Sequence, residues 1–347
     1  MSESRRLVVV LARWLPAALA AATLAVIGPD PRAAHVVSRQ AYLMGTRVTL
    51  TTLDRDRTRG IRRLESLLRI LEDTEAELST WRDDSVLSRL NRRPVGVSLR
   101  LPESTCRLLA EVQAWTIRTG RTFDPAIGAL LAAWDVQGQG RVPSEAELTR
   151  ALSQSGWSRL ELDAARCEVL RLHDVTLDAG AFGKGAALDR ARATDRQQPW
   201  YIDLGGQVAV GGTVHPEGGW DVDIAHPVRR DQPLFSVRLR QGSLATSGGS
   251  ERDRQAGGTR VGHILDPRTG RPAAFAGSVL AWSEDALAAD VLSTALYVMG
   301  PGTGLAWAAA NDVAACYLTV EDGAPARRCT PAFSEEFGRD GRARPTS

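Results

Sequence analysis

Between Ile202 and Ser247 the chain reads as one short strand after another: Ile202–Val210, Trp220–Ile224, Leu234–Leu239 and Ser243–Ser247, with no helical spacing between them. Strands that follow each other without a crossover helix pair as antiparallel hairpins, which favours an α+β fold over a doubly wound parallel sheet. The first half reads differently. Apolar residues at helical spacing mark Ile61–Leu78, through Ile61, Leu64, Leu67, Leu68, Leu71 and Leu78. Pro102–Thr119 reads as a second helix that stops at Gly120. Pro143–Ser155 reads as a third, with Ser144 as N-cap and Glu147 three residues on, a capping box.

The remaining elements fit the same class. Ala41–Leu53 reads as an early strand, Leu160–Leu172 and Val175–Leu177 as short strands, and Val313–Thr319 as a late one. Gly180–Arg192 and Ser283–Met299 read as helices. The expectation is a single α+β domain over residues 35–335, with mixed or antiparallel sheets and flanking helices. Residues 336–347 are charged, contain Gly and Pro, and read as a disordered tail.

Residues 1–34 read as a signal or anchor segment. Arg5-Arg6 precedes the mostly apolar Leu7–Ile27, and Ser4–Val8 weakly resembles a twin-arginine signal. The uninterrupted part, Trp14–Gly28, falls short of the roughly 20 residues a spanning helix needs, although an anchor beginning near Leu7 fits as well. No cysteine stands near it, which excludes lipoprotein processing. The expected location is exported: periplasmic, or anchored on the outer face of the inner membrane. A net charge of only +2 leaves no footprint for nucleic acid.

None of Cys106, Cys167, Cys316 and Cys329 is in a Cys-x-x-Cys pair or near a histidine at ligand spacing, so a zinc site is not expected. Cys316 and Cys329 flank a turn at Glu321–Pro325. In an oxidising compartment they are candidates for a bridge; otherwise all four are buried thiols.

Candidate functional residues begin with Leu177–Asp189, LDAGAFGKGAALD. Lys184 is the sole lysine of the chain; every other one of the 43 basic residues is arginine. A Walker loop is excluded, because Asp178 stands where its first glycine belongs and Gly185 where Ser or Thr belongs. Gly180, Ala181 and Gly183 still admit a ligand close to the backbone, and a helix start with a compact ammonium suits an anion. The alternative is a tight connection with a surface lysine.

Asp290 and Thr294 stand four residues apart in a helical stretch and share a face. A carboxylate beside a hydroxyl gives hard oxygen ligands of the kind Mg²⁺ takes; the alternative is that both face water. His263, one of five histidines, precedes the turn Asp266–Gly270. Thr122-Phe123-Asp124 and Ser79-Thr80-Trp81 set an aromatic beside small polar groups, for which core packing is the default.

The order of these pieces carries more than any one of them. LMGT (Leu43–Thr46), STW with SVLSRLN (Ser79–Asn91), TFDPAIGALLAAW (Thr122–Trp134), LDAGAFGKGAALD, IDLGG, ATSGG, HILDPRTG and AADVLSTAL follow one another. From about Tyr42 to Met299 the chain resembles the ApbE family, the FAD:protein FMN transferases. That resemblance implies an ApbE-like, T-fold-like domain. It also implies Mg²⁺-dependent transfer of FMN from FAD to a Thr or Ser hydroxyl of a partner protein, through a phosphoester, with release of AMP. Met44, Trp81, Thr122, Phe123, Asp124, Asp178, Lys184, His263 and Ile264 would touch FAD. The Ala181 carbonyl, Asp290 and Thr294 would hold the metal, and His263, Lys184 and Asp290 would serve catalysis. The partner would be an acceptor with a Thr/Ser flavinylation site, in a redox membrane complex or an exported flavoprotein. Trp81 stands where the family often has Tyr, Gln207 where a carboxylate or Asn is common, and Gly262 where a bulkier residue is usual. Two other activities fit the same residues: FAD pyrophosphatase, giving FMN and AMP, and flavin binding without catalysis.

Overall fold

The structure is a computed structural model that describes residues 35–196, 198–212, 218–249, 253–256 and 259–338. Residues 1–34 and 339–347 lie outside the described residues; Glu336 and Phe337, expected in the disordered tail, are helical instead.

The chain opens with a hairpin, β1 (His35–Leu43) and β2 (Thr46–Asp54), whose tip Met44-Gly45 takes φ of 50° and 68°. The single strand expected over Ala41–Leu53 is therefore two. A non-glycine residue at positive φ gives no Asn-Gly-type signal in the sequence, so the turn is hidden. Then comes α1 (Arg57–Leu78), capped by the Asp56 carboxylate, which accepts from the Thr58 and Arg59 N–H groups. A helical block follows: α2 (Val86–Arg92), α3 (Glu103–Arg118), α4 (Gly128–Ala133) and α5 (Glu145–Ser153). The capping box of Ser144 and Glu147 is formed at the start of α5. A small sheet in the order β3 (Leu99–Arg100), β5 (Glu168–Arg171), β4 (Leu160–Asp163) packs with this block.

After α6 (Gly183–Thr194) come two hairpins, β6 (Trp200–Leu204) with β7 (Gln207–Gly211) and β8 (Trp220–Ala225) with β9 (Pro233–Leu239). The strand expected over Ile202–Val210 is again two, because Gly205 and Gly206 turn the chain at φ of 61° and 88°. The chain continues through β10 (Ser243–Gly248), the short hairpin β11 (Arg254–Ala256) and β12 (Thr259–Val261), and β13 (Ser278–Ser283). It ends with α7 (Ala286–Ala310), β14 (Ala314–Glu321), β15 (Ala324–Cys329) and α8 (Pro331–Phe337). Helix α7 breaks at Gly300, φ 73° and ψ 168°, just before Pro301, where the expected helix ended, and then resumes.

The main sheet runs β1-β2-β6-β7-β10-β13-β14-β15, antiparallel throughout. Both faces are covered, and the alternation along single strands shows it. On β14, Ala315 and Tyr317 join the core under α7, while Cys316 and Leu318 join the core under β8, β9 and α8. On β6, Trp200, Ile202 and Leu204 pack against Leu64, Leu67, Leu68 and Leu71 of α1 and Leu188 of α6. The domain is thus three layers, α1/α6/α7, the sheet, and the β8–β9 hairpin with α8. This is the expected α+β class.

Cys106 of α3 bonds Cys167 before β5, and Cys316 bonds Cys329 across β14 and β15. The bridge left open for Cys316 and Cys329 is formed. The first bond spans 61 residues and has no local signature. Among the described residues no helix is long and apolar enough to cross a membrane.

Candidate active site

A groove of about 590 Å³ runs between the α1–α2 connection, α4 and the segment before α6. Its size is in the range of ligand sites. Trp81 stands in its wall with 73% of its surface exposed, so the core-packing default does not hold there. The wall is fixed from behind: Ser79, which ends α1, accepts the Trp81 N–H on its Oγ at 3.1 Å and receives the Ser85 hydroxyl on its carbonyl. Opposite, the Asn91 side chain pairs both ways with the Leu177 backbone, at 2.8 Å each. That amide does the work of a strand partner. The Val175 and Thr176 carbonyls accept from the Arg171 side chain and the Gly128 N–H, so residues 175–177 belong to no sheet, contrary to the expected strand.

Asp178 closes this end of the groove. Its carboxylate accepts from the Gly180 N–H at 2.7 Å, and burial pushes its pKa up. The chain then turns into α6 at Gly183, three residues later than expected, because Phe182 N–H and Gly183 N–H both turn back to the Ala179 carbonyl.

The rest of the motif binds α6 to α7. Lys184 Nζ lies 2.6 Å from Asp290 Oδ1, and the Gly185 N–H donates to Asp290 Oδ2 at 3.0 Å. In return Asp189 Oδ1 and Oδ2 accept from the Ala286 and Leu287 N–H groups at 2.7 and 2.8 Å, capping α7. Burial raises the Asp189 carboxyl. Gly185 is required by proximity: a Cβ there would meet the Ala286 carbonyl oxygen at 2.5 Å and Leu287 Cα at 2.6 Å. Asp290 is 2% exposed, so its alternative reading as a wet-face residue is gone. Thr294 is half-buried one turn on, and Ser293 Oγ bonds Ser247 Oγ of β10 at 2.8 Å, which pins this part of α7 to the sheet.

His263 is held by Asp253, whose Oδ1 lies 2.7 Å from Nδ1 and accepts the His263 N–H at 3.0 Å. This pairing commits Nδ1 to the carboxylate and fixes the orientation of the ring. The neighbouring Arg254 donates to the Gly138 carbonyl at 3.0 Å, which sets the β11–β12 hairpin against the groove wall. Ile264 packs beside the core that contains Phe182 and Val291.

Other expected contact residues sit differently. Thr122, Phe123 and Asp124 are 3%, 1% and 3% exposed. Thr122 Oγ1 donates to Thr119, and Asp124 accepts from the Ala126 and Trp157 N–H groups, both at 3.0 Å. Burial still raises the Asp124 carboxyl. Their side chains brace the turn that carries Gly128 into the groove. Met44, at the β1–β2 tip, donates its N–H to Glu75 of α1 at 2.7 Å and is not among the residues lining the groove. Asp189, Asp253 and Asn91 carry no signal in the sequence as site residues. Each acts on a backbone or ring brought near by the fold, 86 residues away for Asn91 and 97 for Asp189.

The donor types, a carboxylate, a hydroxyl and a carbonyl, suit a hard divalent cation. Among the described residues there is no group of three or more His, Cys, Asp or Glu that could hold a metal, so a soft or multi-carboxylate centre is not built here. What is present is one buried carboxylate already matched to a cation, a hydroxyl one turn on and the Ala181 carbonyl in the loop before α6, the mixed oxygen set that Mg²⁺ accepts. A second concavity of about 320 Å³ lies beside α1. Arg59 and Arg63 there are paired to Asp54, and Arg63 also to Asp195.

Fold and site define an α+β protein with a groove bounded by Trp81, Asn91, Gly128 and Asp178, beyond which the chain runs into α6 and its Lys184–Asp290 pair. The chain belongs to the ApbE family, whose model matches residues 44–318. The FAD:protein FMN transferase of Klebsiella pneumoniae (strain 342) is 31% identical, over 78% of this chain and 85% of its own. That of Treponema pallidum (strain Nichols) is 32% identical over 68% and 71%. Among solved structures, the flavinyl transferase ApbE of Pseudomonas stutzeri, in its apo form, superposes with a TM-score of 0.76 at 28% identity, covering 89% of this chain and 99% of that one. The ApbE protein of Thermotoga maritima gives 0.80 at 29%, covering 87% and 99%.

Proposed function

We propose that this chain is an FAD:protein FMN transferase, moving FMN from FAD to a Thr or Ser hydroxyl of an acceptor protein. The acceptor oxygen forms a bond to the FMN-side phosphorus, the bond to the bridging oxygen breaks, and AMP leaves with that oxygen. The hydroxyl proton goes to His263 Nε2, with Asp253 holding the ring. Trp81 offers a flat exposed face for an aromatic ring, and Asp178 and Asn91 shape the floor beside it. Lys184 supplies positive charge where the transferring phosphate is most negative. Ala181, Asp290 and Thr294 would hold Mg²⁺, which neutralises pyrophosphate charge when bound.

The observation that carries this reading is the Lys184–Asp290 pair, a cation on a buried carboxylate, six residues along the chain from Asp178 at the end of a groove of ligand size. The names of the relatives support it. The test is AMP release from FAD and Mg²⁺ with and without an acceptor domain. Acceptor-dependent AMP, matched by flavin on the acceptor, supports transfer; equal AMP in both supports a pyrophosphatase.

We also propose that the protein is exported. The leader supports this, and so does the pairing of all four cysteines, which suits an oxidising compartment. Cell fractionation tests it: soluble protein in the cytoplasm contradicts export.

A further inference from the structure

Both oxygens of Asp290 are engaged. Oδ2 takes a fixed backbone donor, Gly185 N–H, whereas Oδ1 takes the ammonium of Lys184 at 2.6 Å. The Asp290 side chain is 3% exposed and that of Lys184 20%. A carboxylate buried this far needs a positive partner, since leaving it bare is strongly unfavourable. The partner it has is a compact charge on a flexible four-carbon stem, reaching in from the first turn of α6.

We propose that Lys184 is a built-in counter-ion that holds the cation position on Asp290 in the metal-free protein and leaves it when a divalent cation binds. The released ammonium then turns to the phosphates of the nucleotide in the groove. This rests on the proposed role of Asp290 as a metal ligand. Two cations do not share Oδ1 without strong repulsion at low local dielectric, so occupancy by one excludes the other. The same reasoning explains the residue type. In a chain whose other basic residues are all arginine, a guanidinium here would grip the carboxylate with a planar fork of donors, a pairing harder to displace. Lysine makes one contact and can let go.

The chain has a single lysine, so protein labelled with ¹⁵N-lysine gives one side-chain ammonium resonance. Adding Mg²⁺ without nucleotide is expected to shift that resonance in a saturable way. In parallel, Mn²⁺ binding is followed by the loss of the free-ion electron paramagnetic resonance signal. Lys184→Met is expected to bind Mn²⁺ about tenfold or more tightly than wild type, because no competing charge remains. Lys184→Arg is expected to bind about tenfold more weakly. An unmoved lysine resonance at saturating Mg²⁺, or Mn²⁺ affinity in Lys184→Met equal to or weaker than wild type, overturns the proposal. Asp290→Asn separates the two readings. If it abolishes Mn²⁺ binding while the lysine results fail, the metal site stands and the counter-ion role falls. If Mn²⁺ binding is absent or indifferent to Asp290, both fall.

Discussion

The carboxylate of Asp189 on α6 accepts from the main-chain N–H of Leu287 at 2.8 Å, and of Ala286 at 2.7 Å, so one helix caps the next. One turn away the direction reverses, and Asp290 of α7 accepts from Gly185 of α6. The two helices are clamped by opposite carboxylates, and the Lys184–Asp290 pair sits inside the clamp. Loss of an N-terminal cap costs about 1–2 kcal/mol. Asp189→Ala is therefore expected to lower unfolding free energy by about that amount in urea titrations at neutral pH. Unchanged stability would mean the cap is redundant.

Gly185→Ala sets two effects against each other. Alanine gains about 1 kcal/mol over glycine in a helix interior. Its Cβ, however, would meet two α7 backbone atoms at 2.5 and 2.6 Å, which no side-chain rotation relieves. The clash decides, and a net loss of about 1–3 kcal/mol is expected, with α6 and α7 pushed apart. Equal or higher melting temperature would contradict the close approach.

Trp81→Ala separates binding from folding. The ring is largely exposed in the groove wall, so its removal leaves stability within about 0.5 kcal/mol. A ring stacked on it loses about 1–3 kcal/mol of binding. Flavin fluorescence quenching is expected to show about tenfold or weaker FAD affinity with an unchanged melting temperature. Unchanged affinity would remove Trp81 from the site.

Acid exposes a different part of the molecule. Asp54, buried at the end of β2, is held at about 2 by the Arg59 side-chain hydrogen bond, against the opposing effect of burial. Its folded pKa lies below the unfolded value. Its contribution is thus fully present above the ordinary aspartate range and is lost as pH falls toward 2. The stability gap between wild type and Asp54→Asn is expected to be widest near neutral pH and to close between about pH 4 and 2. A gap constant over that range would show that the pair does not couple to protons.

Local chemistry made much of this fold legible. The Ser144/Glu147 box, the apolar stripe of α1 and the break before Pro301 follow from residues within one or two turns. What stayed hidden depends on partners far along the chain. Met44 bends the first strand at a positive φ that only the hairpin pairing imposes. Strand β13, at Ser278–Ser283, is apolar on both faces and has no alternation to announce it. In the site, Asp290, Thr294 and Lys184 were visible as residue types at telling spacings. Their relation was not, because 106 residues separate Lys184 from Asp290. The same holds for Asp253 with His263, which the pairing of β11 with β12 brings together.

The central claim is that FMN moves from FAD to a protein hydroxyl at the site around Asp290. The direct measurement incubates the protein with FAD, Mg²⁺ and an acceptor domain, then scores flavin fluorescence on the denatured acceptor in a gel together with AMP. The account predicts fluorescent acceptor and equimolar AMP with wild type. It predicts neither when the acceptor Thr or Ser is replaced by Ala, when Asp290 is replaced by Ala in a folded variant, or in excess chelator. Full acceptor labelling in excess chelator, or with Asp290→Ala, would contradict it.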